Sequence, residues 1–117
     1  MRARPSGRPK DIDVRRLRFS KSAEDDLLAI LDYITEASAD ATIARKFVAT
    51  LRAQCAKLAS LKSTMGVARP NLRPGIRSAP FRNYIIFFRY IDNMFEVLNI
   101  IEGHRDLQAL FKADEDD

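Results

Sequence analysis

The feature of this sequence that most restricts its fold is a run of five apolar residues at positions 84–88, Tyr-Ile-Ile-Phe-Phe. Successive side chains of a strand point to opposite faces of a sheet, so a strand with this sequence is apolar on both faces. We therefore expect a central strand that is covered on both sides. Amphipathic helices upstream can cover one face, and a partner or the C-terminal segment must cover the other.

Two stretches upstream of this run have the apolar period of an amphipathic helix. The first stripe consists of Ala23, Leu27, Ile30, Leu31 and Ile34, and the second of Ala44, Phe47, Val48, Leu51, Cys55, Leu58 and Leu61. Residues 20–22 offer N-caps for the first helix, where Ser22 and Asp25 have the spacing of a capping box, and Asp40 offers one for the second. Because the break between the stripes is short, we expect an antiparallel helical hairpin.

Short strands are expected on either side of the hairpin. Residues 16–19 alternate polar and apolar side chains, as a half-buried strand does. After the hairpin, Pro70, Pro74 and Gly75 enforce a loop. Strands are then predicted at 76–79 or 76–81, at 84–90 and at 95–101, with a turn at 92–93.

The predicted fold class is α+β, with an N-terminal strand, an antiparallel two-helix hairpin, a three-stranded antiparallel meander and a short C-terminal helix. The last helix is expected from the spacing of Leu107, Leu110 and Phe111. The residues expected in the core are Leu27, Leu31, Ile34, Phe47, Leu51, Leu58, Ile86, Phe88 and Leu98.

The length of 117 residues suits one domain. Residues 1–14 hold prolines, a glycine and charges with almost nothing apolar, so we expect a disordered basic arm, followed by the domain at 15–113 and an acidic tail at 114–117. The single cysteine, Cys55, lies on a helical apolar stripe and suits a reducing compartment. No apolar run approaches the roughly 20 residues that span a bilayer, so we expect a cytoplasmic protein without membrane contact.

Charge is distributed unevenly along the chain. No acidic residue occurs between Lys62 and Ile91, whereas six basic residues do: Lys62, Arg69, Arg73, Arg77, Arg82 and Arg89. Such a block favours phosphate or an acidic protein surface as a partner, although each arginine alone is also typical of a solvated surface.

Three segments carry a resemblance to a known family: 19–27 (Phe-Ser-Lys-Ser-Ala-Glu-Asp-Asp-Leu), 82–88 (Arg-Asn-Tyr-Ile-Ile-Phe-Phe) and 103–106 (Gly-His-Arg-Asp). With the order of predicted elements, the chain resembles the ParE branch of the RelE/ParE toxins of type II toxin-antitoxin systems. The resemblance implies a cognate antitoxin that wraps and neutralises the toxin, with DNA contacted only through that antitoxin. It also implies a target that is either DNA gyrase or the translating ribosome with its mRNA. The basic arm departs from the family, whose members begin near the first strand, so Val14 is an alternative start.

Few residues could carry out chemistry. Cleavage of RNA by its 2′-hydroxyl group needs a general base, a general acid and cations that stabilise the phosphorane. His104 is the only histidine, and the ribonucleases of the family place arginines where Arg82 and Arg105 stand here. Those ribonucleases also carry a C-terminal tyrosine, whereas no tyrosine follows Tyr90. This difference disfavours a nuclease, in which His104, Arg82 and Arg105 would be the catalytic residues.

Structural roles are open for the same residues. His104 can end the last strand with a backbone hydrogen bond, and Arg82 can pair with an acidic residue at 24–26 on the first helix. The chain has no histidine-cysteine cluster with metal spacing and no glycine-rich loop, so no metal or nucleotide cofactor is expected.

The preferred function is that of a non-catalytic toxin that binds DNA gyrase and inhibits growth, as in plasmid stabilisation systems. Its target-binding residues would be Arg73, Arg77, Arg82, His104 and Arg105. The first alternative is a metal-independent, ribosome-dependent mRNA endonuclease. The second is an inactive toxin relic that only binds its antitoxin as a co-repressor.

Deleting residues 1–13 should change neither the thermal midpoint of unfolding nor growth inhibition, because the arm has almost no apolar side chain to dock. Calorimetry and an induced-expression growth curve, each with the full chain as control, measure the two properties. A truncated protein that accumulates but no longer inhibits growth would contradict the prediction.

Overall fold

The computed structural model describes residues 15–103, which form a five-stranded sheet with a helical hairpin on one face. The strands are β1 (Arg16–Phe19), β2 (Val67–Ala68), β3 (Arg77–Phe81), β4 (Tyr84–Ile91) and β5 (Met94–Glu102), and the helices are α1 (Lys21–Ser38) and α2 (Ala41–Ser60). This arrangement confirms the predicted α+β class, hairpin and meander. The expected basic arm, C-terminal helix and acidic tail lie outside the described residues.

Strand β4 is the middle strand of the sheet, whose order is β1-β5-β4-β3-β2. It pairs antiparallel with β3 and with β5, and the register against β5 shifts between Phe87 and Phe88. Two features were not predicted. Strand β2 has only two residues, too few to show alternation, and β1 runs parallel to β5, a pairing between opposite ends of the domain that no local pattern records.

The N-cap of the first helix is Ser20, the residue that directly follows β1. Ser20 Oγ accepts a hydrogen bond from Ala23 N at 3.0 Å. The expected capping box of Ser22 and Asp25 is wrong, because Ser22 already lies inside α1. The position of the cap follows from the strand before it, since β1 ends at Phe19 and leaves Ser20 as the first residue with freedom to cap.

The second helix follows after a two-residue link. Ala39 has a left-handed backbone with φ of 57°, which reverses the chain. Asp40 Oδ1 then accepts hydrogen bonds from Thr42 N at 2.8 Å and Ile43 N at 3.4 Å, so Asp40 caps α2 as predicted.

The start of α1 also completes the edge of β5 beyond the end of β1. Ser20 N donates to Val97 O at 2.9 Å, and Ser20 Oγ donates to Leu98 O at 2.8 Å. Asp26 Oδ2 accepts from Ile100 N at 2.9 Å. These bonds satisfy backbone groups of β5 that would otherwise lack a partner strand.

The sheet has an apolar cluster on each face. The larger cluster lies under the hairpin and includes Leu27, Leu51, Leu58, Ile86 and Phe88, all buried as predicted. The smaller cluster lies on the opposite face and contains Ile76, Phe87 and Ile101, with half-buried Leu72, Ile85 and Leu98 against it. Phe87 and Phe88 are both fully buried, which confirms that β4 is covered on both sides.

Four residues expected in the core are only half-buried. Ile34 and Phe47 pack against the edge of the larger cluster, and Leu98 packs against the smaller one. Leu31 is half-buried on α1. A helical stripe is wider than the surface that one sheet covers, which leaves residues at its margins partly exposed.

The chain crosses from α2 to the sheet at Met65 and Gly66. Arg77 Nε donates to Met65 O at 2.7 Å, and an Arg77 terminal nitrogen donates to Gly66 O at 2.9 Å. Gly66 has φ of +74°, and a Cβ atom there would lie 2.6 Å from Ser78 O and 2.7 Å from Phe88 Cζ. The crossing therefore requires glycine for its conformation and for its lack of a side chain.

Neither α1 nor α2 is long and apolar enough to cross a membrane, and this holds for every helix within 15–103.

Gly66→Ala should lower the free energy of unfolding by about 3 kcal/mol or more, because the added methyl group meets backbone and a buried ring at a positive φ. Gly75→Ala is the matched control: its φ is +84°, but no atom lies within 4 Å of its Cβ position. The control should lose only about 1 kcal/mol. Urea denaturation of both variants measures the difference, and equal losses would refute a steric requirement at Gly66.

Candidate functional site

The basic loop, defined as residues 62–76, is held in place by two arginines, Arg69 within it and Arg77 directly after it. Arg69 Nε donates to Ser78 Oγ at 2.8 Å, and Arg69 N donates to Ile76 O at 2.8 Å. Arg77, predicted as a target-binding residue, directs its guanidinium to the carbonyl groups of Met65 and Gly66. Arg69 and Arg77 thus shape the loop, which limits how far either can reach toward a partner.

Arg73 lies inside this loop and is half-buried. Its backbone N donates to Arg69 O at 3.4 Å, and its backbone O accepts from Ile76 N at 3.3 Å. These bonds form a compact turn ahead of β3. These backbone hydrogen bonds fix the position of the Arg73 main chain, from which the side chain extends.

Arg82 belongs to an aromatic cluster at one end of the sheet, which we define as Phe47, Phe81, Arg82 and Tyr84. The guanidinium carbon of Arg82 lies 5.1 Å from the ring centroid of Phe81 and 5.6 Å from that of Phe47. The Phe47 ring lies 6.0 Å from Phe81 and 5.8 Å from Tyr84. Arg82 is exposed, so the rings support a cation that faces solvent.

The expected ion pair between Arg82 and the acidic residues at 24–26 is wrong. Arg82 sits in the β3–β4 turn with φ of 56°, over the aromatic rings. Glu24 instead pairs with Arg52 on α2 at 2.7 Å. Asp25 pairs with Lys21, and Asp26 bonds to β5. The sequence could not separate these partners because three consecutive acidic residues point in three directions around a helix.

Tyr84 is a residue of this cluster that the sequence indicated only as part of a strand. Burial, followed by the nearby negative charge of Glu102 and by Tyr33, raises the pKa of the Tyr84 hydroxyl. The hydroxyl therefore stays protonated at neutral pH and acts as a neutral hydrogen-bonding group.

The end of β5 lies beside the Arg82 turn. Gly103 N donates to Asn83 O at 3.0 Å, which joins the last described residue to the residue that follows Arg82. His104 and Arg105, both predicted as site residues, lie outside the described residues.

On the sheet face opposite the hairpin, Glu96 is a buried carboxylate held by two arginines. Glu96 Oε1 accepts from Arg89 Nε at 2.7 Å, and Glu96 Oε2 lies 3.3 Å from Arg18 Nε. The set crosses β1, β5 and β4, with the carboxylate side chain only 8% exposed. A buried charge is tolerated when it is paired and hydrogen-bonded in this way. The sequence offered one indication of this buried carboxylate, namely an acidic residue inside a largely apolar strand.

Arg15 clamps the start of the domain onto the end of α2. Its terminal nitrogens donate to Leu61 O at 2.8 Å and Lys62 O at 3.2 Å. Its guanidinium carbon lies 4.4 Å from the Tyr90 ring centroid, and Tyr90 Oη accepts from Met65 N at 2.8 Å. A cation at these carbonyl groups satisfies the free end of the helix. The partners are 46 or more residues apart, so no sequence pattern could reveal the contact.

Residues 15–103 offer neither a reactive thiol nor a group of metal ligands. Burial raises the pKa of the Cys55 thiol to about 12, partly offset by Arg52, so Cys55 is neither a thiolate nor a nucleophile near neutral pH. Within residues 15–103, no group of three or more His, Cys, Asp or Glu side chains is placed to hold a metal ion.

Comparisons with known proteins found one matching family model and a solved structure with a similar fold. Residues 17–107 match the family model described as the ParE toxin of the type II toxin-antitoxin system parDE. A solved structure titled the chromosomal ParDE TA system from P. aeruginosa matches with a TM-score of 0.65 and 24% identity, over 77% of this chain and 97% of that chain. At that identity the structural match shows the fold alone. No curated protein matches the chain.

Proposed function

The chain belongs to the ParE toxin family of type II toxin-antitoxin systems, and we propose that it acts by binding DNA gyrase and is neutralised by a cognate antitoxin. The observation that carries this proposal is the family match over residues 17–107, which spans nearly the whole domain. The similar solved structure comes from a ParDE system and supports an antitoxin as the natural partner.

The residues favour inhibition by binding over RNA cleavage. His104 is the only histidine of the chain, and no tyrosine follows Tyr90 to serve as a second proton donor. Tyr84, the tyrosine nearest Arg82 in the aromatic cluster, has a raised pKa and cannot supply a base near neutral pH. A nuclease would therefore use His104 as its main proton-transfer residue.

The aromatic cluster has the composition of a binding hot spot. Tyrosine, phenylalanine and arginine are enriched at the centres of protein interfaces, and the aromatic rings bury large areas with little loss of conformational freedom. The exposed guanidinium of Arg82 lies over the rings of Phe47 and Phe81, and Arg73 extends from the hydrogen-bonded turn of the basic loop. With Arg105 and His104, these side chains would present positive charge to an acidic surface of the target. Arg77 contributes by holding the loop.

One observation favours the alternative, a ribosome-dependent mRNA endonuclease. The hydrogen bond from Gly103 to Asn83 brings the end of β5 beside Arg82, and His104 follows Gly103 in sequence. In a metal-independent cleavage, the histidine would transfer protons and the two arginines would stabilise the phosphorane. The third possibility, a relic that serves only as a co-repressor, predicts antitoxin binding without growth inhibition.

The proposal places the protein in the cytoplasm, where gyrase and the nascent antitoxin are found, and gives it no cofactor. The antitoxin would lay its C-terminal segment across the toxin as a helix or an added strand. Contact with DNA would be indirect, through the antitoxin.

His104→Gln should remain toxic, whereas Arg105→Glu should inhibit gyrase supercoiling at least about tenfold more weakly, since a reversed charge repels an acidic target surface. Arg16→Glu is the matched control, because Arg16 is an exposed arginine on β1, outside the proposed site. The measurements are supercoiling by purified gyrase and the integrity of mRNA on ribosomes, made with the same protein preparations. Arg77→Glu is unsuitable, since it removes the loop's hydrogen bonds.

The alternatives predict different results. Cleaved mRNA that becomes intact in His104→Gln would overturn the gyrase assignment and establish the nuclease, whose rate should fall by roughly 10² to 10⁴ without its proton-transfer group. A wild-type protein that affects neither gyrase nor mRNA, yet binds its antitoxin, would identify the relic.

Co-expression with the small open reading frame next to the gene should restore growth and yield a complex that co-purifies. The antitoxin would cover the apolar and basic surface that the free toxin exposes, and so would keep the toxin from its target. Size-exclusion chromatography measures the complex, and a frameshifted reading frame is the control. Elution of the two proteins at separate volumes would count against the proposed neutralisation by direct binding.

A further inference from the structure

The two helices of the hairpin carry opposite net charges. Helix α1 has five acidic residues and one basic residue, a net charge of −4, whereas α2 has four basic residues and no acidic one, a net charge of +4. An ion pair between Glu24 and Arg52 joins the two helices. Most of the remaining charged side chains of the two helices are exposed to solvent.

The outward face of α1 is acidic around one apolar residue. Asp25, Asp32 and Glu36 are exposed, and Leu28 is 61% exposed. At 3.6 residues per turn, positions 25, 28, 32 and 36 share one side of the helix, opposite the buried side. An exposed leucine ringed by carboxylates has the composition of a contact surface rather than of a solvated helix.

The outward face of α2 is basic around small residues. Arg45, Lys46 and Lys57 are exposed toward its two ends, and Ala49 and Ala53 are exposed between them. The alanines leave a shallow strip into which a larger side chain can fit. The outward face of α2 therefore complements that of α1. It has charges of the opposite sign at each end, and it has small residues where α1 has a leucine.

Four of these charges, those of Asp32, Glu36, Arg45 and Lys46, do not serve the stability of their own helices, whereas Lys57 in the last turn of α2 does. Asp32 and Glu36 are like charges four residues apart, and α1 has no basic residue in its last turn. Helix α2 has no acidic residue in its first turn, and Arg45 and Lys46 follow soon after. Within residues 15–103, Asp32, Glu36, Arg45, Lys46 and Lys57 take part in no ion pair. Each helix would gain from an external surface of the opposite charge.

We propose that the hairpin face is an interface between two copies of this chain. The copies pack hairpin against hairpin about a twofold axis parallel to the helices, so that α1 of each lies antiparallel to α2 of the other. Such an interface is self-complementary, as a twofold contact must be. Asp32 and Glu36 then oppose Arg45 and Lys46 near the helical link. Further along, Leu28 opposes the strip of Ala49 and Ala53, and Asp25 lies nearest Lys57.

The size of the face sets the expected affinity. Helices of 18 and 20 residues are about 30 Å long and together about 20 Å wide, so each copy would bury about 600 Å². A total of about 1,200 Å² is at the low end for specific interfaces. We therefore expect a dimer with a micromolar Kd that salt weakens, since exposed charge pairs are screened.

Sedimentation velocity of the full chain over a concentration series, at about 50 mM and about 500 mM NaCl, tests the dimer. The dimer should form at low salt and weaken at least tenfold at high salt. This test needs no gyrase, so its result is independent of the proposed function.

A charge swap provides the decisive test. Asp32→Lys with Glu36→Lys reverses the charge on the outward face of α1 near the helical link, and Arg45→Glu with Lys46→Glu does the same on α2, so each double variant alone should be monomeric. An equimolar mixture of the two should form a heterodimer, because each reversed helix now meets an opposite charge. Arg16→Glu, which changes charge on β1, is the control and should dimerise like the wild type.

A steric variant keeps the test valid if a charge-reversed protein fails to fold. Ala49→Gln with Ala53→Gln fills the strip without changing charge and should weaken the dimer at least tenfold. A wild type that stays monomeric at low salt, or a dimer unaffected by all these changes, would overturn the proposal. If the chain is monomeric and the α2 reversal instead weakens antitoxin binding, the face belongs to the antitoxin and the proposal fails.

Discussion

The rest of the fold depends on the need to cover β4 on both faces. Phe87 and Phe88 are adjacent in the chain and both fully buried, one on each side of the sheet. One layer alone cannot achieve this, because successive side chains of a strand point in opposite directions. The hairpin covers the side of Phe88, and the basic loop brings Leu72 over the side of Phe87. The loop is thus part of the core, which explains why Arg69 and Arg77 bond to the loop and to β3 and so hold the loop in place.

A small number of long-range polar contacts hold these layers in position. One series of contacts joins the end of α2 to β4 and then to β3. Arg15 binds the end of α2 and lies over Tyr90 of β4, whose hydroxyl bonds to Met65, and Met65 O accepts from Arg77 of β3. On the other side, Ser20 and Asp26 complete the edge of β5. Each contact satisfies backbone groups at a place where a helix or strand ends. Side chains at the ends of elements therefore determine how the hairpin sits on the sheet.

The sequence predicted whatever depends on local periodicity. The bounds of β1, the hairpin with its Asp40 cap, and the central position of β4 followed from residue spacing. What it did not predict depends on distance along the chain: the parallel pairing of β1 with β5, the clamp by Arg15, and the real partners of Glu24 and Asp26. The candidate site follows the same division. Arg82 was identified through the family resemblance, but its support by Phe47 and Phe81 required knowledge of which helix faces the β3–β4 turn.

The pairing of β1 with β5 bears on how the protein folds as it is synthesised. The partners in this parallel ladder are 78 residues apart, so closing it is among the slowest steps expected for a domain of this size. While the ribosome is still adding residues 94–102, β1 has no strand beside it and the buried carboxylate of Glu96 has no Arg18. The nascent chain can form its helical hairpin early, but the sheet closes only after β5 has been synthesised. Until then, the chain exposes an unfinished strand edge, which is the form most easily captured by a binding partner or a protease.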